Sequence, residues 1–124
     1  MDTLENAVIS AIQSCDSLRL TVRGLPCDTT VSKLLEQLDA LYTALALLSE
    51  NMSRSQDEFK ELKPLVQLCG AISEDLKAGI KQASSSGLTD WSSLECRGTN
   101  IAGLRDKLKI WTSTISIKMI TVGS

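Results

Sequence analysis

An all-α fold, an antiparallel helical bundle of four main helices with room for one extra short helix, is predicted by three observations. Apolar residues recur at spacings of three and four in four long stretches, which is the signature of one helix face. Glycine, proline, serine and asparagine cluster between those stretches, where turns are expected. The one segment rich in β-branched residues, Trp111 to Val122, finds no partner strand elsewhere in the chain and so reads as helix. Helices of this kind are marginal alone and are stabilised by burying their apolar faces against one another. The 124 residues suffice for one core and one domain, residues 1–124.

The first helix spans residues 2–22. Leu4, Val8, Ala11, Ile12, Cys15, Leu18 and Val22 form its stripe, while Ile9 and Leu20 fall off it. Asp2 can cap its start, with Glu5 placed as in a capping box. Gly24 and Pro26 stop it, and Thr29 or Thr30 can cap the second helix. That second helix, from Val31 to about Asn51, holds the densest aliphatic run in the chain, built on Leu34, Leu38, Leu41, Leu45 and Leu48. Leu47 widens its apolar face, so it should be covered on more than one side.

Ser55 and Glu58 fit a second capping box, but Pro64 would break a helix running through it. A short helical segment before Pro64 and a third main helix from about Lys63 to Ala83 accommodate both signals. Its stripe is Leu65, Leu68, Cys69, Ile72, Leu76, Ile80 and Ala83. Gly70 and Gly79 weaken it by about 1 kcal/mol each relative to alanine. They mark either close approach of a neighbour or a tolerant surface. Residues 84–87 form a loop, and Trp91 to Cys96 read as a helical turn directing Trp91 and Leu94 inward. Gly98 breaks that turn and Asn100 caps the last helix. There Ile101, Leu104, Leu108, Trp111, Ile115, Met119 and Val122 make an almost unbroken stripe, with Ile110 and Ile117 beside it. The core is thus expected around Leu34, Leu38, Leu41, Leu45, Leu68, Ile72, Leu104, Leu108, Trp111 and Ile115.

Composition narrows the function. Thirteen basic and fifteen acidic residues give a net charge of −2, with the basic residues scattered, so nucleic acid is not an expected partner. There is no histidine, which removes the commonest general base and zinc ligand. The four cysteines have no Cys-x-x-Cys spacing and no activating neighbour. Neighbouring carboxylates such as Glu74 and Asp75 fall on polar faces, and no glycine-rich phosphate loop is present. The expectation is therefore no enzyme activity, no cofactor, no metal and no small-molecule substrate. The N-terminus is acidic where a signal peptide is basic, and no apolar run approaches a membrane span, which points to the cytoplasm and reduced thiols. The first helix alone has an active alternative to a core role: Leu4, Val8, Ile9 and Ile12 are expected to form a face that packs against the bundle at rest and engages a membrane or another copy of the domain on activation.

Several stretches resemble a known family. The opening MDTLENAVISAIQSC is similar to the Met-Asp-x-Leu start and apolar helix of HeLo-like N-terminal domains, which precede fungal STAND (NOD-like) receptors. SKLLEQLDALYTALALL resembles their Leu-rich second helix after a Pro-containing loop. LRDKLKIWTSTISIKM resembles their closing pattern, with Trp111 at the aromatic position, Thr112 in place of a lysine, Ser113-Thr114 matching and Ile115 in place of leucine. Trp91 resembles a tryptophan found between the third and last helices. The resemblance implies a helical signalling or effector domain that oligomerises with itself or related helical domains. It further implies recruitment to the plasma membrane after activation, contact of the freed first helix with lipid, and a role in regulated cell death. The alternative it allows is a stand-alone adaptor or protein-interaction domain without membrane activity.

Overall fold

The computed structural model describes residues 3–26, 28–52, 56–87 and 91–123, and it is an all-α bundle. The first helix, α1, covers Leu4–Arg23. Its cap is Thr3, whose hydroxyl accepts the Asn6 N–H at 3.1 Å; Asp2, the expected cap, lies outside the described residues. The second, α2, covers Thr29–Met52. It is capped not by Thr29 or Thr30 but by Asp28, which accepts the Thr30 N–H on its carboxylate at 2.7 Å and the Ser32 N–H on its carbonyl at 2.8 Å. A charged acceptor at this end also meets the positive pole of the helix.

The short helix expected before Pro64 is α3, Gln56–Phe59, and a 3-10 turn at Lys60–Leu62 joins it to α4, Lys63–Ser85. Pro64 sits in the first turn of α4, where no backbone donor is lost. Ser55, the expected cap of α3, lies outside the described residues. Phe59 and Leu62 are buried and pin this joint to the core.

Between α4 and the last helix the chain departs from expectation. Only Trp91–Ser93 forms a helical turn; Glu95–Cys96 (β1) then pairs antiparallel with Thr99–Asn100 (β2). The turn between them places Arg97 at φ 55° and Gly98 at φ 77°, the left-handed pair that a two-residue hairpin requires. Trp91 and Cys96 are buried and Leu94 partly so. The last helix, α5, covers Ile101–Gly123, and the Asn100 side chain accepts the Gly103 N–H at 2.9 Å as its cap.

Consecutive main helices double back across short connectors. The tightest packing, however, joins α1 to α4 and α2 to α5, with α1 also against α2, while α4 scarcely meets α5. Within α1/α4 the two registers advance together: Ala11 abuts Gly70 and Ser17 meets Lys77. The same holds for α2/α5, where the groove beside Lys33 and Arg105 is followed, further along both helices, by a hydrogen bond from Asn51 to the Met119 sulfur.

The core contains Leu34, Leu38, Leu41, Leu45, Ile72, Leu104, Leu108 and Ile115, each at most 5% exposed. Two expected members differ. Leu68 is an exposed side chain, because the buried stripe of α4 runs through Val66, Cys69, Ser73, Leu76 and Ile80, and Leu68 lies about 100° around the helix from Cys69. Trp111 is half-buried, packed on the rim of the core.

Candidate functional site

Of the four residues of the expected first-helix face, three pack inward in this structure and one does not. Leu4 and Val8 are buried, Ile12 is half-buried against the core, and Ile9 alone is open, at 43% exposure. Ile9 follows Val8 by about 100° of rotation, enough to leave the seam. The rest of α1 is held on two sides. Against α4 its small residues Ala7, Ala11 and Ser14 let the backbones approach, so that a methyl added at Gly70 would stand 3.4 Å from the Ala11 Cα. Against α2, Arg19 donates to Asp39 at 2.7 Å and to Asp16 at 3.1 Å, with its guanidinium 4.1 Å from the centre of the Tyr42 ring. Burial would lower the Arg19 pKa, but Asp39 and Asp16 outweigh it and the pKa is raised, so the cation persists.

Cys15 and Cys69 are buried in this same interior, and burial pushes both thiols up to about 12. Cys15 donates its S–H to the Leu38 carbonyl. At neutral pH neither supplies the thiolate that nucleophilic chemistry needs. Burial raises Cys96 as well, and Cys27 lies outside the described residues. Among the described residues no group of three or more acidic, cysteine or histidine side chains could hold a metal ion. Nor does any described helix have the length and apolarity to cross a membrane.

Among the described residues, three of the surface grooves are of similar size. One of about 280 Å³ lies over the Ala7, Ala11 and Gly70 seam between α1 and α4. A second, of about 310 Å³, carries Lys33, Glu36, Arg105 and Lys109 between α2 and α5, with charges of both signs. A third, of about 300 Å³, is walled by Leu47, Met119 and Ile120 at the far end of the same helix pair.

That third groove lies beside a group of exposed aliphatic side chains. On α5, Ile110 and Ile117 are each 62% exposed and Ile120 is 70% exposed, with Leu47 of α2 at 45%. The spacing of Ile110 and Ile117 puts them on one side, nearly opposite Leu108 and Ile115, which enter the core. Lys107 and Lys109 flank this outer side, and Asp106 is the single acid of the helix. Sequence reasoning placed Ile110 and Ile117 beside the core stripe; the signal that they form a second face was their own seven-residue spacing.

Fold and surface together define a small all-α helical domain. Residues 3–123 match the family described as pigment biosynthesis cluster protein PigL N-terminal, and the chain belongs to that family. It is a fungal-associated family of N-terminal domains, and at that coarse level it agrees with the resemblance drawn from the sequence. No match is found among curated proteins or among solved structures.

Proposed function

We propose that this chain is an N-terminal interaction and signalling domain of a fungal NOD-like receptor system, working by helix-mediated assembly with its own copies or related helical domains rather than by catalysis. The observation that supports an N-terminal interaction domain is the family match across residues 3–123, on an all-α bundle that exposes large aliphatic side chains on four helices, while the receptor setting rests on the resemblance of the sequence to HeLo-like domains. Isolated exposed leucines are ordinary, but grouped ones mark interaction surfaces. Release of α1 into a membrane is the costlier form of such an activity, since Leu4, Val8, Cys15, Leu18 and Val22 would each leave the core. Assembly through surfaces already exposed needs no such step.

The test is forced clustering. The chain is fused to a drug-inducible dimerising module and expressed in a filamentous fungus. Growth arrest or cell death on adding the drug is the expected result; no response to clustering overturns the signalling reading and leaves a passive adaptor. Dye release from anionic liposomes by the purified chain then separates membrane action from assembly alone, with no release expected.

A further inference from the structure

We infer that Met119 is a site of oxidation by peroxide and that Asn51 receives the oxygen of the sulfoxide formed there. The inference stands on the geometry of the groove between α2 and α5 and does not depend on the signalling reading.

The chain has three methionines. Met52 is 2% exposed, within the core, and Met1 lies outside the described residues. Met119 is half-buried. Part of its side chain packs on the core, yet it also lines the open groove of about 300 Å³ beside Leu47, Ser116 and Ile120. Hydrogen peroxide is little larger than water and enters a groove of that size. Asn51 lines the same groove and is anchored to its own helix, where its amide donates to the Leu47 carbonyl at 2.7 Å. The same nitrogen donates to the Met119 sulfur at 3.6 Å. An amide nitrogen carries two hydrogens, so one is bound within α2 and the other is directed across to α5.

A thioether is a weak acceptor, so this second hydrogen is poorly used. Oxidation changes that. A sulfur lone pair attacks one oxygen of hydrogen peroxide. The S–O bond forms as the O–O bond breaks, and the proton of the attacked oxygen passes to the departing hydroxide, which leaves as water. Sulfur is oxidised by two electrons and the peroxide is reduced by two. The product places a polar oxygen on a side chain with apolar neighbours, which ordinarily disrupts packing. Here a donor is already in place. Rotation about the bonds of the unbranched side chain brings the oxygen to the Asn51 N–H. A weak N–H···S contact then gives way to an N–H···O bond between α2 and α5, and the new oxygen is not left without a partner.

The experiment treats the full chain with hydrogen peroxide, follows each methionine by peptide mass spectrometry, and records thermal melts before and after. Asn51→Leu and Met119→Leu are treated alongside. Asn51 is exposed, so leucine there leaves the core untouched. Met119→Leu lacks the sulfur, and subtracting its shift removes what the thiols contribute. Met119 is expected to gain its oxygen roughly tenfold or more faster than Met52, which must wait for the core to open. After subtraction, oxidation should lower the melting midpoint of Asn51→Leu further than that of the parent. Met119 oxidising no faster than Met52 overturns the site. A corrected drop in Asn51→Leu equal to or smaller than the parent's overturns the capture of the oxygen by Asn51.

Discussion

Gly70 and Gly79 lie on the same helix with the same backbone geometry, yet a side chain means different things at each. At Gly70 the nearest neighbour is the Ala11 backbone, so a methyl just fits against α1 and a branched side chain crowds the seam. Gly70→Leu should lower stability by about 1–3 kcal/mol, the usual range for overpacking. At Gly79 a methyl meets nothing within 4 Å. Gly79→Ala should therefore raise stability by up to about 1 kcal/mol through helix propensity alone. Thermal melts of the two variants check both signs; a neutral Gly70→Leu would mean that the seam is looser than its geometry. Residue by residue, the aliphatic core of α2 was fully legible, because Leu34, Leu38, Leu41 and Leu45 leave no competing face. Leu68 was misplaced for the opposite reason. On α4 the buried stripe includes Gly70's neighbour Cys69 and the polar Ser73, which donates to the Cys69 carbonyl at 2.8 Å, so hydrophobicity alone pointed to the wrong edge.

Among the elements, α1 carries the sharpest contrast between neighbours. Val8 is fully buried and Ile9 is 43% exposed. Val8→Glu puts an unpaired carboxylate in the core and should abolish folding, while Ile9→Glu should stay within about 0.5 kcal/mol of the parent. Circular dichroism and urea titration read both. If Val8→Glu folds normally, α1 is not seated as described. The helices themselves were legible from periodicity and caps, including the split around Pro64. The hairpin was not. Its strands are too short to show an alternating pattern, and its turn depends on Arg97 adopting a conformation that arginine seldom takes. Phe59 was missed because it lies in a joint, outside any stripe, although it is among the most buried side chains. The outer side of α5 escaped because one helix carries two apolar faces, and the richer one masked the other.

For the whole molecule, the arrangement of helices decides what can be removed. Terminal segments are commonly dispensable, but α1 lies between α2 and α4 and touches both. Deletion of residues 2–20 should leave a chain without cooperative thermal unfolding, because Leu38, Cys69 and their neighbours lose their cover. A sharp, fully cooperative melt of the shortened chain would show that α1 is peripheral after all. The antiparallel bundle was predictable from four stripes and short connectors. That α1 runs alongside α4 was not, since nothing in either stripe names its partner; the choice rests on the fit of Ala11 to Gly70. This pairing also sets a schedule for the growing chain. About 60 residues separate the two members of that contact, so at about 5–20 residues per second a ribosome delivers the second roughly 3–12 s after the first. During that interval the first-made helix has α2 on one flank and nothing on the other. The face of α1 that α4 covers stays open to unwanted contacts until α4 has emerged.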